Sequence, residues 1–360
     1  MSTRRSILFA VLKGGHGATY FFNVSSLQDL FQSLRFYQAN TPKAKIRKIL
    51  LTGYLLYCRL NRRTGVSDID GLTQWLRKNS TAPTSILIFP GHGHFSILLP
   101  PTGDKMLLHD HREKLFTKYA WGKSRTKLER EVFVYQHLTE KCPSEFSVPS
   151  LCNSAIMSEY AKISLKDFNS CRGKKFGDRH PAQVAGAFSH ITTGVFIQAS
   201  ELWERCALPN TSESWKELSR RQNLPDHTIR LGWHHGDFKP WNLARGTPPL
   251  LFDFEEFSEQ EPEGLDLINF FVEVWFTRKG RRFVLQQLRT SKKFRDELAD
   301  YQRHSPGHPI FWRFLLEVYW CRKIQQLTAE ENFDTANDFL WLKQAWRDIS
   351  TTSDFEQNLL

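Results

Sequence analysis

The sequence predicts an α+β protein in which a small antiparallel sheet with one helix precedes a larger, mainly helical region. Short apolar runs separated by turn residues fill 86–119, a pattern typical of an antiparallel meander. Beyond residue 162, apolar residues recur mostly at helical spacing. The first 80 residues differ from both regions, because they are basic and contain predicted helices.

Two helices are predicted in the basic N-terminal segment. Ser25 or Ser26 precedes apolar residues at helical spacing and would cap the first helix. The second is expected over about 44–60, where basic residues flank the apolar run 49–58. That run is too short to span a bilayer, so we expect it in a protein core or in a membrane interface.

Charge is distributed unevenly along the chain. Residues 1–80 contain 13 Lys or Arg and three Asp, so that nearly all of the net charge of +11 lies there. Such a segment favours contact with an anionic membrane surface, and packing on the rest of the protein with solvated basic residues is the alternative. Nucleic acid is not expected as a partner, because the apolar run 49–58 does not fit a phosphate-binding track.

The sequence predicts a cytoplasmic protein, located at the inner face of the membrane if the basic segment binds lipid. Its six cysteines form no C-x-x-C pair, which argues against a zinc module or a disulfide framework. No apolar run reaches about 18 residues, and the six apolar residues at 7–12 fall short of a signal peptide.

Three domains are expected: a basic helical extension (1–80), a small β lobe (81–160) and a helical lobe (161–360). Strands are predicted at 86–89, 95–99, 106–109, 115–119 and 155–160, with a strand-like stretch over 231–253. Helices are predicted at 124–139, 181–206, 266–279, 284–302, 310–328 and 334–348.

The residues that indicate chemistry are Asp237, Asn242 and Asp253. Transfer of a phosphoryl group from a nucleotide needs a carboxylate that aligns the acceptor hydroxyl and takes up its proton, and oxygen ligands that hold Mg²⁺. The spacing Asp-x4-Asn puts an acid and an amide on one tight loop, and a hairpin of about ten residues would return the second acid. The three side chains are therefore predicted to converge.

The stretch His-Gly-Asp-Phe-Lys-Pro-Trp-Asn at 235–242 resembles the catalytic loop of the aminoglycoside phosphotransferase and choline kinase family. The resemblance implies a bilobal, protein-kinase-like fold. It implies that Asp237 is the base, that Asn242 and Asp253 bind Mg²⁺, and that His235 supports the loop from behind. It also implies a structural role for Asp266, and Lys239 is similar to the lysine that touches the transferred phosphate in protein kinases.

The resemblance extends upstream to the expected nucleotide site. Lys118 is similar to the strand lysine that holds the α- and β-phosphates, and Glu131 to the helix glutamate that orients it, with Glu129 as an alternative partner. The segment Met157-Ser-Glu159-Tyr160 resembles the hinge whose backbone contacts adenine.

Other features bear on the phosphate loop and on the acceptor. The loop that covers the phosphates could contain Gly91 and Gly93, or Gly103. Only 12 residues separate Asp253 from Asp266, which leaves no room for a segment that holds a peptide substrate. Aromatic residues after Asp266 could stack on sugar rings or pack in the core.

Together these features predict a metal-dependent phosphotransferase that uses ATP, or GTP, with Mg²⁺, and a small-molecule or lipid-linked glycan acceptor. The segment Tyr37-Gln-x-x-x-Pro-Lys-Ala-Lys resembles family members associated with bacterial polysaccharide or lipopolysaccharide synthesis. The alternatives are an aminoglycoside- or choline-type kinase and a catalytically idle pseudokinase scaffold.

Overall fold

A computed structural model describes residues 7–14, 17–34, 42–61, 65–166, 180–209, 213–244, 246–304 and 310–350. Tyr37, Gln38 and Cys171, which entered the sequence predictions, lie outside these residues. The chain divides into two units. The first unit is Met1–Cys142 with Val148–Lys174, and the second is Pro143–Ser147 with Lys175–Leu360.

The first unit is built on an antiparallel sheet in the order β1-β2-β3-β4-β5-β7-β6. Its strands are β1 (Phe9–Lys13), β2 (Thr19–Asn23), β3 (Phe95–Leu99), β4 (Lys105–Asp110), β5 (Leu115–Trp121), β6 (Leu151–Ile156) and β7 (Tyr160–Lys166). Its helices are α1 (Leu27–Ser33), α2 (Pro42–Leu60), α3 (Ile69–Asn79) and α4 (Ser124–Glu140).

The second unit is mainly helical and has two small antiparallel sheets. Its helices are α5 (Pro181–Ser189), α6 (Ala199–Cys206), α7 (Trp215–Gln222), α8 (Leu265–Lys279), α9 (Arg281–Thr290), α10 (Lys292–His304), α11 (Trp312–Ala329) and α12 (Phe333–Ser350). Its strands are β8 (Val195–Gln198), β9 (Thr228–His234), β10 (Leu243–Ala244), β11 (Leu250–Leu251) and β12 (Ser258–Pro262).

Several predicted elements are confirmed. Strands β3, β4 and β5 cover the meander predicted from the alternation of short apolar runs and turns. Helix α1 begins after Ser26, whose hydroxyl accepts a hydrogen bond from the Asp29 amide at 2.9 Å. Helices α4, α8, α11 and α12 begin and end within two residues of the predicted bounds.

The sequence analysis missed β1 and β2, which it placed within a helical extension. Both faces of this hairpin are buried: Phe9 and Phe21 contribute to one apolar cluster of the first unit, and Ala10 and Phe22 contribute to another. A strand covered on both faces lacks the alternation of apolar and polar residues that marks a half-exposed strand. Because β2 pairs with β3, these residues continue the sheet of the predicted small lobe.

A buried polar network also ties α1 to this sheet. The Asp29 carboxylate accepts hydrogen bonds from His111 at 3.0 Å and from His94 at 3.1 Å. Burial by itself would raise the pKa of Asp29, but these bonds and one from Ser26 outweigh it and lower that pKa to about 2. Residues 17–34 therefore belong to the packed body of the first unit.

Three other predicted elements need correction. The run 86–89 is not a strand, because Pro83 and Pro90 bracket it and its first residue, Ile86, ends a 3-10 turn at Thr84–Ile86. The predicted helix 181–206 is interrupted by β8, and Gly194 before that strand has a φ of +68°. The predicted helix 284–302 is two helices that meet at Ser291, which has extended backbone. Among the described helices, none combines the length and apolar character needed to cross a bilayer.

Candidate active site

In the second unit, a tight loop follows β9 and carries the residues of the His-Gly-Asp motif. The β10–β11 hairpin then returns the chain, and the Phe252 amide donates to the Asn242 carbonyl at 3.1 Å. Asp253 comes directly after this bond. The loop and the segment that carries Asp253 are thus joined through the backbone.

Gly236 is required at its position in this loop. Its φ is +77°, and a Cβ built there would lie 2.1 Å from the Glu256 carbonyl oxygen. Any other residue would have to adopt left-handed backbone and displace the backbone at Glu256. Glycine therefore allows the close turn that precedes Asp237.

His235 is fully buried behind the loop and bonds with both ring nitrogens. Nε2 donates to the Phe252 carbonyl at 3.1 Å, and Nδ1 accepts from the Asp237 amide at 3.3 Å. This pattern needs the neutral ring, and burial lowers the pKa of His235 accordingly. His235 thereby fixes the backbone of Asp237 against the segment that leads to Asp253, and acts as a positioning residue.

Asp266, at the start of α8, anchors the same loop from another side. Its carboxylate accepts hydrogen bonds from the amides of His235 at 2.7 Å and Gly236 at 3.2 Å. Burial raises the pKa of Asp266 to about 6, against the opposing effect of these bonds. Two backbone amides of the loop are thus held by one side chain.

Asp237 itself is partly exposed and has two side-chain partners. One carboxylate oxygen accepts from Asn242 Nδ2 at 2.9 Å, and the other forms an ion pair with Lys239. Burial would lower the pKa of Lys239, but the charges of Asp237 and Glu273 outweigh it and raise that pKa. Lys239 is therefore cationic at neutral pH, beside a carboxylate that solvent can reach.

The ion pair continues into two residues that sequence analysis missed, Glu273 and Lys323. Lys239 Nζ lies 4.0 Å from Glu273 Oε2, and Lys323 Nζ lies 2.6 Å from Glu273 Oε1. A signal was present in the sequence: Asp266, Asn269 and Glu273 are polar residues at i, i+3 and i+7 in an otherwise apolar helix. This spacing puts them on one face of α8.

Asp253 has left-handed backbone, with a φ of +74°. This conformation is uncommon outside glycine and often marks functional sites. The charge of Asp253 acts to raise the pKa values of both His235 and Lys239, so it lies within electrostatic reach of the loop. Asn242 contacts Asp237 through its side chain, and its carbonyl bonds to the amide of Phe252, the residue before Asp253.

The donor atoms around this loop fit a divalent cation such as Mg²⁺. Asn242 uses Nδ2 to bind Asp237, which leaves its Oδ1 as the atom that could bind a metal. Together with the carboxylate of Asp253 it would offer two oxygen ligands, the type that Mg²⁺ prefers.

A cavity of about 370 Å³ opens in the second unit beside Gly236, the residue before Asp237. Most of the residues that line it have polar side chains. Tyr319 donates to Asn269 within it at 3.1 Å. Arg322 forms an ion pair with Glu261 at 3.1 Å. The polar side chains that line it include Glu256, Glu261, Asn269, Tyr319, Arg322, Lys323, Gln325 and Gln326.

In the first unit, Lys118 and Glu131 form a buried ion pair. Lys118 Nζ lies 2.9 Å from each carboxylate oxygen of Glu131, which is fully buried on α4. Glu129, the alternative partner, pairs with Arg125 instead, at 2.7 Å. The strand lysine is thus held by a glutamate of the neighbouring helix.

The predicted hinge at Met157, Glu159 and Tyr160 is wrong. These residues form the turn that joins antiparallel β6 and β7, and the Met157 amide donates to the Tyr160 carbonyl at 2.8 Å. Glu159 accepts from Ser85 at 2.9 Å. The predicted strand 155–160 in fact covers two strand ends and a turn, so a connection out of the first unit must lie after β7.

The candidate phosphate-covering glycines occupy different places in the first unit. Gly103 lies in the turn between β3 and β4, where its amide donates to the Pro100 carbonyl at 3.2 Å. Gly91 and Gly93 lie before β3. The meander therefore has Gly103, and not the earlier pair, at its first hairpin turn.

Comparisons with known proteins give matches only among solved structures. No protein-family model matches the chain, and no curated protein matches it in sequence. Choline kinase LicA from Streptococcus pneumoniae matches at 13% identity and a TM-score of 0.44, covering 68% of this chain and 90% of that one.

Two further structures are similar to this chain. A choline/ethanolamine kinase family protein from Mesorhizobium loti has 12% identity, a TM-score of 0.44 and coverage of 80% and 97% of the two chains. A Plasmodium vivax ethanolamine kinase has 14% identity, a TM-score of 0.37 and coverage of 92% and 96%. Because these TM-scores lie below 0.5, the likenesses carry no conclusion about activity.

Proposed function

We propose that the protein is a phosphotransferase that moves the γ-phosphoryl group of a nucleoside triphosphate to a hydroxyl of a small-molecule or glycan acceptor. The observation that supports it is the arrangement around Asp237. A partly exposed carboxylate contacts both a lysine and an amide on a loop that hydrogen bonds of His235 and Asp266 hold in place. Positioned charge of this kind is the main requirement of phosphoryl transfer.

The reaction assigns a distinct task to each side chain. The acceptor oxygen bonds to the γ-phosphorus, the bond from that phosphorus to the β–γ bridging oxygen breaks, and the nucleoside diphosphate leaves. Asp237 orients the acceptor hydroxyl and takes up its proton. Lys239 stabilises the negative charge on the transferred group.

The remaining site residues would bind the nucleotide and its metal. Asn242 and Asp253 would hold Mg²⁺, which neutralises charge on the phosphates when bound. Lys118, aligned by Glu131, would bind the α- and β-phosphates of ATP or GTP. The ion pair between these two residues supports this assignment.

The cavity beside Gly236 is the proposed acceptor site. Its amide, hydroxyl and charged groups suit a compound with several hydroxyl groups, such as a sugar. We propose an acceptor of cell-envelope polysaccharide or lipopolysaccharide synthesis, either free or linked to a lipid. A lipid-linked acceptor would put the reaction on the cytoplasmic face of a membrane.

A panel assay tests the proposed function. The purified full-length chain is incubated with γ-labelled ATP or GTP, Mg²⁺ and single acceptors from a set of sugars, lipid-linked glycans, aminoglycosides and choline. We expect label in the product of a glycan-type acceptor, lost in the Asp237→Asn variant. Label in choline or an aminoglycoside alone would overturn the acceptor class, and failure to transfer label to any acceptor would favour a pseudokinase.

A further inference from the structure

Helix α2 of the first unit has two apolar faces, and only one of them is packed. Leu55 and Cys58 are buried in an apolar cluster that also contains Phe22 and Leu30. They lie three residues apart and face the sheet together. This buried face accounts for the attachment of α2 to the protein.

The other face of α2 carries large apolar side chains that are exposed to solvent. Ile49 is 71% exposed and Leu60 is 80% exposed. Their spacing at i, i+3, i+4 and beyond forms one continuous line along the helix. We call this set the α2 stripe: Ile46, Ile49, Leu50, Tyr54, Tyr57 and Leu60.

Single exposed leucines are common on protein surfaces, but a continuous exposed line is not. The stripe runs over 15 residues of a 19-residue helix, from Ile46 to Leu60. Helix α1, which packs on the same apolar cluster through Leu30, also has exposed apolar side chains: Leu27 is 50% exposed and Phe31 is 56% exposed. A surface of this kind marks an interaction site.

Basic residues accompany the stripe on both sides. At about 100° of rotation per residue, Lys45 projects beside one edge of the stripe and Arg47 beside the other. Lys48 and Arg59 lie towards the opposite side of the helix, and α2 contains neither Asp nor Glu. An apolar line bordered by cations is typical of helices that lie in the interface of an anionic membrane.

We propose that the α2 stripe docks on an anionic lipid bilayer, with α2 lying in the plane of the interface. Tyr54 and Tyr57 lie in the C-terminal half of the stripe, and amphipathic aromatic rings suit the headgroup region. A second copy of the chain fits the charge less well, since a symmetric pair of α2 helices would bring cationic borders together. The proposal is independent of phosphotransfer.

Vesicle co-sedimentation of the full-length chain tests this surface. Binding is compared between anionic vesicles, made of phosphatidylcholine with about 30% phosphatidylglycerol, and neutral vesicles of pure phosphatidylcholine. We expect binding to the anionic vesicles only, weakening at least about tenfold as salt rises from 0.05 to about 0.5 M. At low salt, Ile49→Glu should reduce binding to the anionic vesicles by a factor of about ten or more relative to the wild type.

Ile88→Glu is the matched control, because Ile88 is 79% exposed in the same unit but lies outside α2. It should leave vesicle binding within about twofold. At low salt, a variant with Lys45→Glu, Arg47→Glu and Lys48→Glu should bind the anionic vesicles no more strongly than the wild type binds them at high salt. Binding that Ile49→Glu leaves unchanged, absence of binding, or a dimer in gel filtration that Ile49→Glu dissociates would each overturn the proposal.

Discussion

Helices α8 and α2 both invert the usual distribution of residues, but in opposite directions. Helix α8 buries the carboxylates of Asp266 and Glu273 among apolar side chains, whereas α2 exposes Ile49 and Leu60 to solvent. Burying a charge is unfavourable unless partners compensate it, and exposing a continuous apolar line is unfavourable in water. We therefore propose a function for each exception: an internal site at α8 and an external surface at α2.

The largest expected effect concerns the loop that α8 anchors. Gly236→Ala combines left-handed backbone with a contact of 2.1 Å, whereas Gly103→Ala has a φ of +73° and open space around it. We expect Gly236→Ala to lower the free energy of unfolding by roughly 2–5 kcal/mol, and Gly103→Ala by about 1–2 kcal/mol. Urea denaturation of the two variants measures the difference, and equal losses would show that the loop is not tightly held.

The buried carboxylate of α8 predicts a pH dependence. The folded pKa of Asp266, about 6, lies above its ordinary value of 3.8, so the folded protein binds that proton more tightly than the unfolded chain. Its contribution is fully present below about pH 4 and is lost as pH rises through 6. The total is at most about 3 kcal/mol.

Asp266→Asn should remove this contribution from the stability profile. Denaturation between pH 4 and 7 should then show a smaller loss of stability on raising the pH than in the wild type. Parallel profiles for the two proteins would show that Asp266 does not titrate in this range.

Two glutamates on α4 allow an ion pair with a buried carboxylate to be compared with a more exposed ion pair of the same helix. Glu131 is buried against Lys118, whereas Glu129 is partly exposed beside Arg125. Glu131→Gln should lower kcat/KM for the nucleotide by about 10- to 100-fold, equivalent to roughly 1.4–2.7 kcal/mol. Glu129→Gln should leave it within about twofold, and similar losses in both variants would contradict the assignment of Lys118 and Glu131.

The smallest expected effect lies on α2. Leu60→Ser changes an 80% exposed side chain, so the free energy of unfolding in the absence of lipid should stay within about 0.5 kcal/mol of the wild type. A loss above about 1 kcal/mol in urea denaturation would mean that Leu60 packs within the protein. The contrast between α8, which buries charged side chains, and α2, which exposes apolar ones, would then not hold.

The backbone arrangement around the candidate site could be predicted from the sequence more readily than the packing around it, for physical reasons. The spacing of Asp237, Asn242 and Asp253 is set by one loop and one hairpin, and such local constraints can be recognised in the sequence. Glu273 and Lys323 lie on separate helices, so their meeting depends on tertiary packing. For Glu273, a polar position in the apolar run of α8 was a usable signal.

Two segments were misjudged from the sequence, each for its own reason. The run at 155–160 contains the β6–β7 turn but no Gly, Pro, Asn or Asp that would mark a turn, so both the strand and the hinge implied by the resemblance were misplaced. The predicted choice for 49–58 between core and membrane interface assumed a single environment. In the structure α2 packs one face and exposes the other. Periodicity at 3.6 residues shows which residues share a face of a helix, but not which face another element covers.

The central claim is that Asp237 takes the proton of the acceptor hydroxyl, and turnover of Asp237→Asn tests it most directly. We expect kcat with the acceptor identified in the panel assay to fall by about 10²- to 10⁴-fold, while nucleotide affinity measured by calorimetry changes little. Asp334→Asn, at an exposed position of α12, is the control and should keep kcat within about twofold. An Asp237→Asn variant that turns over at the wild-type rate would contradict the assignment of Asp237 as the base.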